Sequence, residues 1–98
     1  MTEPDLTEQQ TRGIRAGELL NNEILNQALA AIEAEVVDQW GNCPARDREG
    51  KEALWQLFKT SQKFRATLLG YIESGKLATE QLKRYDKESR LRGLLRRA

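Results

Sequence analysis

The 98-residue chain has no histidine, a single cysteine, two prolines and six aromatic residues. Each shortage excludes something. Without imidazole, the side chain best suited to move protons near neutral pH is missing, and with it most catalytic triads, many zinc sites and the usual pH switches. One cysteine, Cys43, cannot close an internal disulfide. No apolar run resembles a signal peptide or a membrane span, so the sequence reads as a soluble cytosolic product. No glycine-rich phosphate loop occurs: Gly13 and Gly17 lack both the preceding strand and the lysine such loops need. The acidic pairs Glu33/Glu35 and Asp47/Glu49 sit two residues apart and point to different faces of a helix, so neither converges on a metal or a proton. The sequence therefore predicts no catalytic residue, no cofactor and no metal site, and a protein that is not an enzyme.

What is present is leucine at helical spacing and charge arranged as a gradient. Apolar residues make up 39% and charged residues 32%, too wet for a large core and too leucine-rich for disorder. Residues 1–40 carry eight acids against Arg12 and Arg15, a net charge of −6, whereas residues 76–98 carry eight bases against three acids, a net +5.

The expected fold is all-α and a single domain over 1–98, with a frayed start at 1–5 and a basic C-terminal segment at 83–98. An N-terminal helix is predicted over about 7–20, weakened by Gly13 and Gly17, which each cost a helix interior about 1 kcal/mol relative to alanine. Asn21-Asn22 offers N-caps for a second helix over about 22–40, where Leu25, Leu29, Ile32, Val36 and Trp40 form a stripe that Gly41 ends. Asp47 is placed as N-cap of a third helix over 47–74, with Leu54, Leu57, Phe58, Ser61, Phe64, Leu68 and Ile72 facing inward and Ser74-Gly75 as its stop. The short loop between these two makes them an antiparallel hairpin, with Trp40 near Leu54 to Phe58. A separate basic helix over about 77–92 follows, with Leu77, Leu82 and Tyr85 inward and Thr79 on the surface.

Two surfaces stand out. Trp40 and Trp55 flank the interhelical loop beside Arg46 and Arg48, and tryptophan and arginine are the residues that dominate binding hot spots. The same indoles also fit a hydrophobic cluster under the loop. Leu91, Leu94 and Leu95, at i, i+3 and i+4 between arginines, have the anchor spacing of a helix laid into a partner's groove, or else cover the open end of the hairpin. The bases Lys83, Arg84, Lys87, Arg90, Arg92, Arg96 and Arg97 are placed to neutralise phosphates, although neither interleaved aromatics nor a helix-turn-helix accompanies them. A long narrow hairpin leaves apolar surface uncovered, which predicts a protein partner or a homo-oligomer.

Four stretches, Ala16-Gly17-Glu18-Leu19-Leu20-Asn21-Asn22, Ala28-Leu29-Ala30-Ala31-Ile32-Glu33 with Trp40, Arg46-Asp47-Arg48-Glu49-Gly50-Lys51-Glu52-Ala53-Leu54-Trp55, and Ser74-Gly75-Lys76-Leu77-Ala78, resemble small helical proteins of tailed bacteriophages and prophages encoded among head and DNA-packaging genes. The resemblance covers about residues 12–80, leaves out the basic tail and carries no catalytic residue. It implies a phage product acting in virion assembly or DNA packaging in the bacterial host cytoplasm, possible association with the virion included. The expected function is that of a non-enzymatic assembly or adaptor protein. The alternatives are a nucleic-acid-binding accessory factor using the basic helix and an inhibitor of a host enzyme.

Overall fold

The computed structural model describes residues 2–97, the side chain of Arg97 excepted. Met1 and Ala98 lie outside the described residues, as does the part of the predicted frayed start that falls on Met1. The fold is all-α: the described residues form three helices, α1 (Glu3–Leu20), α2 (Glu23–Asn42) and α3 (Arg48–Arg97). No helix of the described residues is long and apolar enough to cross a membrane.

The helices group into two compact units, one formed by α1 up to Gly17 with α3 from Leu69 onward, the other by Glu18–Leu68. In the second unit α2 and the first part of α3 form the antiparallel hairpin read from the stripes. Asn22 caps α2, its side-chain oxygen accepting from the Leu25 amide at 2.9 Å, and the Asn26 amide closes the last turn of α1 by donating to the Leu20 carbonyl at 2.7 Å. Asp47 caps α3 by accepting from the Gly50 amide at 2.9 Å, as its position before a helical run requires. Leu29, Val36, Ser61 and Leu68 are buried along the seam. Its centre is polar: the Ser61 hydroxyl donates to Glu33 Oε1 at 3.0 Å, and Arg65 stands 3.5 Å from the same oxygen.

Two helices cover only a narrow arc of each other, so the seam takes fewer residues than the stripes suggest. Leu57 and Phe64, expected inside, are 49% and 45% exposed, and Ile32 is 43% exposed. Counted at 100° per residue, Leu57 and Phe64 flank the seam on one side of α3, while Trp55 and Phe58 flank it on the other. On α2 the same count puts Ile32 and Val37 on opposite sides of the line through Leu29 and Val36.

The first unit is also an antiparallel pair. Gln10 donates to the Thr79 hydroxyl at 2.9 Å, and the Arg12 guanidinium lies 4.4 Å from the centre of the Tyr71 ring. Between these contacts the two backbones nearly touch. A Cβ on Gly13 would stand 2.8 Å from the Tyr71 carbonyl oxygen and 2.9 Å from the Gly75 Cα, and one on Gly75 would stand 3.0 Å from the Gly13 Cα. Leu6 and Ala78, each 1% exposed, and Ala16 complete this interior.

Several sequence expectations are corrected here. Helix α1 begins at Glu3, not near Thr7. Thr2 and Asp5 exchange hydrogen bonds, the Asp5 amide donating to the Thr2 hydroxyl at 3.4 Å and the Thr2 amide donating to Asp5 Oδ2 at 3.3 Å, with the Thr2 hydroxyl donating to the same oxygen at 2.8 Å. This is a capping box with aspartate in the third position. Pro4 falls in the first turn, where no amide donor is needed. Gly41 lies inside α2, which runs on to Asn42 and is closed by the Cys43 amide on the Trp40 carbonyl. Ser74-Gly75 does not end α3, which runs unbroken to Arg97, and no separate C-terminal helix is present among the described residues. Among the described residues no glycine has positive φ, so Gly75 acts as a crossing point and not as a left-handed stop. Leu77 and Tyr85, expected inside, are exposed. Thr79, expected on the surface, is part-buried and donates to the Gly75 carbonyl at 3.0 Å.

Candidate functional site

Trp40 sits in the last turn of α2 and Trp55 two turns into α3, and the Asp47 cap fixes where α3 starts relative to the loop. That geometry brings the two indoles to one groove at the hairpin tip, lined by Val36, Val37, Trp40, Leu54, Trp55 and Phe58 and holding about 320 Å³. Every lining residue is apolar or aromatic. A small-molecule site of this size pairs apolar walls with a few convergent polar groups, and the only polar side-chain groups among these six are the two indole N–H donors. Both indoles remain close to half exposed and Val37 is 61% exposed, so the tryptophans do not form a closed cluster under the loop.

The walls of the groove differ. On the α2 side, Ala30, Ala34 and Gly41 lie seven and three residues before Val37 and four after it, which puts these small exposed residues on its face. On the α3 side the rim is cationic. Lys51 Nζ lies 4.6 Å from the Trp40 ring centre and donates to the Trp40 carbonyl at 3.2 Å, while Lys59 Nζ lies 4.9 Å from the Trp55 ring. A cation over an indole contributes about 0.5–1 kcal/mol at an exposed site, enough to bias the orientation of each ring. Trp55 and Phe58 stack with centroids 6.3 Å apart.

Of the other predicted anchors, Arg46 is exposed in the loop and Arg48, the first residue of α3, is exposed as well; neither lines the groove. Cys43 lies 3.6 Å from Asp47 Oδ2. Burial, then the Asp47 charge and hydrogen bond, push its thiol above the usual value, the reverse of what a nucleophile needs. Leu91, Leu94 and Leu95 are exposed on the last turns of α3.

The basic segment is partly answered by acids of its own unit. Arg90 pairs with Asp86 at 3.2 Å and Lys83 with Glu80 at 4.0 Å. Arg92 and Arg96 line a shallow hollow with Glu3, Tyr85 and Glu88. Lys83, Arg84, Lys87 and Arg90 are exposed, and the side chain of Arg97 lies outside the described residues.

Sequence reasoning named both tryptophans, Leu54 and Phe58 but missed Val37, Lys51 and Lys59. A signal existed for Lys59, four residues after Trp55 and so above it on the helix. None existed for Lys51, whose reach to Trp40 crosses the loop. No family model matches the chain, and no significantly similar curated protein or solved structure is found.

Proposed function

We propose that this chain is a non-enzymatic adaptor that works through protein–protein contact, with the groove at the hairpin tip as its docking surface. The observation that carries this reading is the groove itself: a concavity of apolar and aromatic side chains walled by two half-exposed indoles, each with a lysine over its ring. Aromatic residues with one face packed and one open are the usual anchors of interfaces. The resemblance to proteins from phage head and packaging regions supplies the setting, in which the adaptor joins components of a virion or its packaging machinery in the bacterial cytoplasm.

A photo-crosslinking residue placed at Val37 in the full chain, expressed in a bacterial host, tests the reading. Covalent adducts are expected from position 37 and absent from a control position on the hairpin's outer surface, such as Lys63. Equal yields at the two positions, or none at either, would remove the groove from consideration.

A second reading uses exposed Lys83, Arg84, Lys87 and Arg90 against phosphates. Their support is the +3 net charge of the unit containing them, from ten bases against seven acids. Local pairing with Asp86 and Glu80 reduces what is available to a nucleic acid. If this reading holds, binding falls by orders of magnitude between low and moderate salt and disappears when residues 90–98 are removed; salt-independent binding rejects it.

A further inference from the structure

The hairpin's two arms have opposite charge. Helix α2 carries Glu23, Glu33, Glu35 and Asp38 and no base, a net −4. Residues 48–68 of α3 carry Arg48, Lys51, Lys59, Lys63 and Arg65 against Glu49 and Glu52, a net +3. The groove runs between these arms, with small uncharged residues on the acidic arm and lysines on the basic one. A surface built this way is complementary to itself under one arrangement and repelled under another.

We infer that the occupant of the groove is a second copy of this chain. The two hairpins stack face to face about a two-fold axis parallel to their helices, so that each α2 lies over the partner's α3. This inference rests on reading the groove as a protein-docking surface and names its partner. Stacking of this kind sets the acidic helix opposite the basic one twice over, with the rim lysines Lys51 and Lys59 toward the partner's α2, and keeps the stacked helices antiparallel. Turning one copy end for end instead lays α2 on α2, acid on acid, and charge repulsion of that kind is how interfaces reject a wrong register. Ala30, Ala34 and Gly41 allow the approaching helix close to α2, and the two tryptophans pass from half-wet to covered.

The size is sufficient. Two helices about 30 Å long and 10 Å wide, side by side, offer a footprint of about 600 Å². A specific interface takes about 800 Å² of accessible surface from each partner, and accessible surface exceeds flat footprint. The result is a four-helix arrangement of the kind that hairpins form by pairing.

Sedimentation equilibrium of the full chain over a hundredfold range of concentration, with tryptophan emission recorded alongside, tests this directly, since Trp40 and Trp55 are its two tryptophans. The expected result is a monomer–dimer equilibrium whose dissociation shifts emission to the red. Val37→Lys, at an exposed position and facing the partner's lysines, is expected to weaken association at least tenfold with unchanged helical circular dichroism. Thr60→Lys, exposed on the Leu57 and Phe64 side of α3, is expected to leave association within twofold. A chain that stays monomeric throughout, or associates as well with Val37→Lys as without it, overturns the inference. So does Thr60→Lys abolishing the dimer while Val37→Lys spares it. The crosslink at position 37 separates the two levels: adducts with a different protein from a monomeric chain leave the docking surface standing and refute the second copy, whereas no adduct and no dimer refute both.

Discussion

Both units are antiparallel helix pairs, yet one closes on itself and the other stays open, and the difference lies in side-chain volume at the crossing. Where Gly13 meets Gly75 the backbones touch, and Leu6, Ala16 and Ala78 fill what space remains. Where α2 meets α3 in the hairpin, Glu33, Ser61 and Arg65 stand between the backbones and two indoles wall an open groove at the tip. Small residues let two helices touch along their backbones, whereas large ones leave a groove between them. Apolar side chains stay exposed on both pairs, Leu77, Leu94 and Leu95 on the first and Val37 with the two indoles on the second, where they line that groove.

The comparison breaks most readily at its closed end. Gly13→Ala places a methyl group within 3 Å of a carbonyl oxygen and a Cα of the facing helix, both backbone atoms that no side-chain rotation can move aside. Overpacking of this kind costs about 1–3 kcal/mol, and the helix propensity gained by alanine, about 1 kcal/mol, offsets only part of it. We expect a net loss of up to about 2 kcal/mol in denaturant unfolding. Gly17→Ala has nothing within 4 Å of its new methyl, and should raise stability by about 0.5–1 kcal/mol through propensity alone. If the two substitutions shift the midpoint in the same direction, the glycine crossing is not what holds that pair together.

The open pair depends instead on how its tip is pinned. Asp47→Ala removes the acceptor for the Gly50 amide, and loss of an N-cap costs about 1 kcal/mol. Because the same residue sets where α3 begins, and Lys51 one turn later reaches the Trp40 carbonyl, the loss should also loosen the groove. Greater quenching of tryptophan fluorescence by acrylamide, together with the stability change, is the expected outcome. A stability loss with unaltered quenching would separate the cap from the groove.

Periodicity and local chemistry made the hairpin legible, because a four-three-four-four stripe from Leu25 to Trp40 and the caps Asn22 and Asp47 are properties of neighbouring residues. Gly75 misled for a physical reason. A glycine after serine at the end of an apolar stripe has the same local signature whether it ends a helix or admits another one. Only the position of Gly13, about sixty residues away, decides between them. The same holds for Leu57 and Phe64. The stripe shows which way they lean but not how wide the covering helix is, so an inward direction was read as burial. At the site, Trp40 and Trp55 announced themselves by type, whereas Val37 became visible only when its neighbours across the groove were in place.

The smallest effect concerns the start of α1, where a cap adds to the packing of Leu6. Hydrogen bonds from Thr2, chiefly its hydroxyl and then its backbone amide, hold the Asp5 carboxyl below its usual value of 3.8. A carboxyl depressed in the folded state binds protons more weakly than in the unfolded chain, so its stabilisation is fully present above 3.8 and is lost as the pH falls through the lower folded value. Amide exchange of Leu6 and Thr7 should therefore accelerate on acidification below about pH 4 relative to residues in mid-helix. Asp5→Asn keeps an acceptor but removes the titration, and should leave that ratio flat with pH. A wild-type ratio equally flat would mean that the first turn is set by Leu6, buried against the facing helix, and that even this end of the closed pair is governed by packing.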